Sequence, residues 1–91
     1  MKIKTPVLVN ACQIQIEHSD TFQRPEPDNL SAIGPGDVVK VSDGRERFWV
    51  VVKTRAGEIF TGTVNNMLLF SRLKFGSPIK FHTDNIFDIA P

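Results

Sequence analysis

The sequence has no tyrosine, one tryptophan, one cysteine and two histidines among its 91 residues. The lone Cys12 cannot close an internal disulfide, so the fold makes no demand on an oxidising compartment and the cytoplasm is the expected location. Metal sites want several His, Cys or carboxylate ligands at short spacing; His18, His82 and Cys12 stand apart, so no metal and no other cofactor is expected. An excess of charge of one sign is missing as well. Eleven Lys and Arg face ten Asp and Glu, a net charge of +1, which argues against a binder whose affinity comes from broad phosphate neutralisation. No apolar run approaches the ~18 residues of a membrane span. Pro6 and Asn10 interrupt the apolar stretch near the N-terminus, unlike the core of a signal peptide. A soluble protein with no membrane partner is the expectation.

What is present suits one small globular domain. The chain is 41% hydrophobic and 23% charged, and a chain of this size buries roughly 60 to 70% of the surface its unfolded form exposes, enough for a single core. Residues 1–91 read as one domain in three parts: an N-terminal strand over 1–17, an acidic Pro-containing connector over 18–33, and a β-barrel core over 34–91. The strand reading rests on Gln13-Ile14-Gln15-Ile16-Glu17, where apolar and polar residues alternate. Pro25 and Pro27 break any helix in the connector, which reads as extended, with one helical turn over Asp28–Ile33 that Asp28 or Asn29 caps, Gly34 stops, and Leu30 and Ile33 anchor inward.

The centre of the chain carries the strongest pattern. Gly34-Pro35-Gly36-Asp37 suits a type II turn, whose third position needs a positive φ. Val39 and Val41 then alternate with Lys40 and Ser42. Asp43-Gly44 marks a tight turn, after which Phe48, Val50 and Val52 alternate with Arg47, Trp49, Val51 and Lys53. Ala56-Gly57 leads into a strand over 58–64, in which Gly62 signals a bulge or a close backbone crossing. Residues 65–74 are open between buried helix and apolar loop. Gly76-Ser77-Pro78 is a turn, and 79–82 and 85–89 are short strands. Several short strands separated by Gly-containing turns predict a mainly β fold, a small SH3-like antiparallel barrel or roll with one short helical turn.

The blocks Gly36-Asp37-Val38-Val39-Lys40-Val41, Glu46-Arg47-Phe48-Trp49-Val50, Phe60-Thr61-Gly62-Thr63-Val64-Asn65-Asn66, Leu73-Lys74-Phe75-Gly76 and Asn85-Ile86-Phe87-Asp88-Ile89 resemble the YegJ-like family of small bacterial and phage proteins. The match covers about residues 27 to 89. The family is a domain of unknown function, so the resemblance implies a compact β-rich domain and supplies no activity.

Chemistry-bearing constellations are sparse. A Cys12/His82 nucleophile pair exists only if the fold joins two residues far apart in sequence; the plain alternative is a small buried thiol. Gly34-Pro35-Gly36-Asp37 lacks the Lys-Ser/Thr of a phosphate loop and leads into a strand. Asp84 reads as the cap of a tight turn. No enzymatic activity is expected. One patch carries a positive reading: Lys40, Arg47, Trp49 and Lys53 share the face opposite the core set, with Arg45 and Arg55 at the ends of the hairpin strand. Between Lys40 and Arg55 five bases meet two acids, whereas Glu17 to Asp28 holds four acids and one base, so the two segments either face each other or one faces a partner. The six residues Lys40, Arg45, Arg47, Trp49, Lys53 and Arg55 form the candidate binding site, most simply for a protein partner, since Trp and Arg dominate interface energetics. The alternative is a single-stranded nucleic acid, whose bases stack on an aromatic ring among cations. The plain alternative to both is that Trp49 closes one end of the core. Seven phenylalanines exceed what a single small core layer holds; ordinary core packing is the first reading, with a self-association surface that makes a homo-oligomer, or a peptide groove, as the alternative.

Overall fold

The computed structural model describes residues 3–69 and 73–91. Its centre is one five-stranded antiparallel sheet, built from β1 (Val38–Ser42), β2 (Arg47–Ala56), β3 (Ile59–Val64), β4 (Pro78–His82) and β5 (Asp88–Ile89) in the order β4-β3-β2-β1-β5. The protein is mainly β, as the alternation predicts. The barrel is not closed: β4 and β5 lie at opposite edges, and the sheet is open. The edge strand β5 is only two residues long and pairs with β1 through Val39↔Ile89 and Lys40↔Asp88.

Alternation sets the two faces of the sheet. Val39, Val41, Phe48, Val50, Val52, Phe60, Val64, Ile79 and Phe81 are buried along one face, where Phe60 stacks on Phe81 with centroids 5.3 Å apart. Burying side chains of this size is worth roughly 1.5–3 kcal/mol each, so this face holds the fold together. Gly36 takes φ +93° in its turn, closed by the Asp37 amide donating to the Gly34 carbonyl at 3.1 Å. At Gly62 the neighbouring strand comes so close that a Cβ would lie 2.5 Å from the Val51 carbonyl oxygen. Opposite it, β2 carries a bulge: the register passes from Val52↔Gly62 to Thr54↔Thr61, and Lys53 has no partner.

The N-terminal third departs from expectation. Within the predicted strand over 1–17, the stretch Ala11–Glu17 is instead a helix, α1, and before it Lys4 makes an isolated parallel bridge to Ile79. The Asn10 side chain caps it by accepting from the Gln13 amide at 3.0 Å, and the Gln13 Nε2 donates to Glu17 Oε1 at 3.0 Å one turn on. The helix separates the two isoleucines that alternation puts on one face: Ile14 is half-buried and Ile16 is 74% exposed. A short alternating run is weak against a capped helix start, because local propensity is decided by such caps when packing is slight.

The connector is packed down rather than extended and free. Phe22 lies against Phe87, centroids 5.2 Å apart. The Arg24 guanidinium donates to the carbonyls of Ile86 (3.1 Å) and Thr83 (2.7 Å). The helical turn exists as α2 (Pro27–Ser31), which starts one residue before Asp28, with Pro27 in its first turn and no side-chain cap. It sends Leu30 and Ile33 into the core. Residues 65–69 form an irregular loop, and part of the open reading of 65–74 falls on 70–72, outside the described residues. The predicted last strand is shorter, because Thr83–Asn85 forms a 3-10 turn. His82, not Asp84, caps that turn: its Nδ1 accepts from the Asp84 amide at 3.0 Å. Among the described residues no helix is long and apolar enough to cross a membrane.

Candidate binding face of the β1–β2 hairpin

Lys40 and Trp49 are directly opposed across β1 and β2, on the face away from the core. The Lys40 ammonium sits 4.6 Å from the Trp49 ring centroid, a cation–π contact worth about 0.5–1 kcal/mol where water has access. Trp49 is half-buried, so it does not close the core. Its backbone is tied down on the β3 side, where the Trp49 amide donates to Asn66 Oδ1 and its carbonyl accepts from the Asn65 amide at 2.8 Å. Those bonds hold the 65–69 loop beside the strand. A further bond, from the Leu69 amide to Glu46 Oε2 at 3.2 Å, fixes the far end of the loop. The loop thereby presents Met67 and Leu69, 84% and 82% exposed.

Arg47 is on the same face, two residues from Trp49. Its guanidinium carbon lies 4.9 Å from the centroid of Phe87 and 5.8 Å from that of Phe22. Neither Lys40, Arg47 nor Lys53 has an ion-pair partner among the described residues. Arg45 lies in the tight turn, where its amide donates to Asp43 Oδ1 at 2.9 Å. It lines a groove of about 370 Å³ together with Val9, Ile14, Ser42, Arg47 and Phe87. Ser42, read as outward, is buried here because the chain at Val9 crosses it and donates to its carbonyl at 2.8 Å.

The six predicted site residues do not form one patch. Lys40, Arg47 and Trp49 come together, with Arg45 at one end. Lys53 projects at the bulge, roughly 13 Å along the strand from Trp49 at 3.3 Å per residue. Arg55 leaves the face altogether. The bulge reverses its side, so it lies over Phe60 with 4.6 Å to the centroid and donates to the carbonyls of Leu30 (2.8 Å) and Ile33 (2.9 Å) behind α2. The oppositely charged segments do meet, at a ring: Phe22 lies against Arg47. Met67, Leu69, Asn66 and Phe22 were not singled out from the sequence; the pair Asn65-Asn66 at the end of a strand is the one available sign of a loop that folds back on it.

A second cluster lies at the other end of α1. Cys12 does not meet His82. Its thiol donates to Asp84 Oδ1 at 3.4 Å and accepts from Arg24 Nη1 at 2.8 Å. Burial pushes the Cys12 thiol above its ordinary range; Arg24 opposes this and Asp84 adds to it. Since the thiolate is the nucleophile, this environment suppresses its reactivity. The 3.7 Å approach of His82 Nδ1 to Asp84 Oδ2 is not an ion pair in the tautomer whose Nδ1 accepts from the Asp84 amide. Compared with known proteins, the chain matches no family model, no curated protein and no solved structure.

Proposed function

We propose that this chain is a non-enzymatic binding module that recognises a protein through the outer face of the β1–β2 hairpin. The observation that carries the reading is a half-exposed Trp49 under Lys40, whose backbone holds the loop that exposes Met67 and Leu69. An aromatic anchor beside flexible apolar side chains and a rim of cations is the composition of an interface centre. Single-stranded nucleic acid fits less well, because Lys40 occupies a face of the indole on which a base would stack. The resemblance of residues 27–89 to the YegJ-like family, an SH3-like relationship of the sheet and a cytoplasmic location belong to the same proposal.

Titration with labelled oligonucleotides at low and at moderate salt, beside retention of protein partners on the immobilised chain and its Trp49→Ala variant, tests it. Retention that Trp49→Ala abolishes supports the reading. Oligonucleotide binding that collapses with salt replaces it.

A further inference from the structure

We propose that the groove between α1 and the turn end of the β1–β2 hairpin captures an acidic side chain of the partner, with Arg47 reading the carboxylate. This rests on the protein-binding reading above and adds what the partner must carry: Asp or Glu next to an apolar residue.

The three arginines whose guanidinium contacts are fully described behave in two ways. Arg24 donates to Ile86, Thr83 and Cys12, and Arg55 to Gly57, Leu30, Ser31 and Ile33; both guanidiniums are committed to backbone or core. Arg47 is different. It lies over Phe87 and Phe22, and among the described residues its N–H donors meet no protein acceptor. Ring contacts of this kind leave the guanidinium's N–H donors unused, and those donors form a fork that matches a carboxylate. Ordering that side chain costs less entropy on binding because the rings already restrict it.

The groove supplies the rest. Its walls include Val9, Ile14 and Phe87, which suit an aliphatic or aromatic neighbour of the acid. Arg45 adds positive charge at the rim, and the Glu46 carboxylate, which also lines the groove, is turned toward the Leu69 amide. Extended peptide leaving the groove along β2 reaches Trp49 within about 7 Å, one two-residue step of a strand. A carboxylate in the groove and an apolar side chain on Trp49 therefore belong to one short segment.

The test uses the full chain on an array of random twelve-residue peptides, with Arg47→Gln, Arg47→Lys and Trp49→Ala alongside, each verified by thermal melt. Bound sequences should be enriched in Asp or Glu beside Leu, Ile or Phe. The strongest acidic peptide should bind Arg47→Gln at least about tenfold more weakly, with Arg47→Lys between, since lysine keeps the charge and loses the fork. Its Asn/Gln counterpart should bind the parent, Arg47→Gln and Arg47→Lys equally weakly, and the Arg47 side-chain Nε–H signal should shift on titration with the acidic peptide alone. Binding without acidic enrichment, or unaffected by Arg47→Gln, overturns this inference and leaves the protein-binding reading standing. No bound peptide, or binding of a dT12 oligonucleotide that competes every peptide away, overturns both.

Discussion

Replacing Trp49 with alanine separates a surface anchor from a core residue. Phe48, its neighbour, points into the core with 1% of its surface exposed, and truncating so buried an aromatic costs about 3–5 kcal/mol. Trp49 loses the Lys40 contact, about 0.5–1 kcal/mol, and the burial of part of one ring face. Its hydrogen bonds to Asn65 and Asn66 run through the backbone and survive the substitution. The expected cost of Trp49→Ala is therefore about 1–2 kcal/mol. In a domain of this size each kcal/mol moves the midpoint by roughly 4–8 °C, so the two variants separate clearly in calorimetry. Urea melts of the same proteins should give equal slopes, showing that only stability has changed. If Trp49→Ala falls as far as Phe48→Ala, the indole is part of the core and the recognition face does not exist as described.

Other perturbations probe other parts of the same structure. Gly62→Ala should destabilise by more than about 2 kcal/mol in urea, since its Cβ meets the Val51 carbonyl oxygen at 2.5 Å and Val50 Cγ1 at 2.7 Å, and neither strand can retreat without breaking its ladder. Gly34→Ala, with nothing within 4 Å, should stay within about 0.5 kcal/mol of the parent. Arg24→Met should cost about 2–4 kcal/mol by leaving the Ile86 and Thr83 carbonyls without their donor and should open residues 18–26 to limited proteolysis. Cys12 should react with iodoacetamide near neutral pH more slowly than a free thiol, and fast labelling there would contradict its raised pKa. That raised pKa means the folded state holds the thiol proton more tightly than the unfolded one. The associated stability is whole below the ordinary thiol pKa of about 8.5 and is lost as pH climbs through the higher folded value; denaturation midpoints of the parent and Cys12→Ala should converge in that alkaline range.

Much of the sheet was legible because alternation over Val38–Val64 is long, and a slip of one residue would turn every valine to water. The turns at Gly34–Asp37 and Asp43–Gly44 were legible for a local reason, the need for positive φ or an Asp side chain folding back on its own backbone. At the N-terminus the alternation of Ile14 and Ile16 points to a strand, whereas Asn10 followed three residues later by Gln13 is a helix-start signature, and the capped helix forms. On the outer face of the hairpin, parity along β2 places Arg47 and Trp49 opposite the core. The same parity failed at Arg55, because a bulge at Lys53 resets which side each later residue takes.

The sequence by itself determined the central strands, the face each of their residues takes up to the bulge, and the absence of an internal disulfide, since these follow from two-residue periodicity, turn chemistry and a single thiol. Only the tertiary structure decided which arginines serve the fold and which stays available. Arg24, Arg47 and Arg55 are alike as letters, and their roles depend on carbonyls and rings brought beside them from residues distant in the chain. The same holds for Trp49, whose half-exposed ring is defined by a lysine across the ladder and a loop that returns to its backbone.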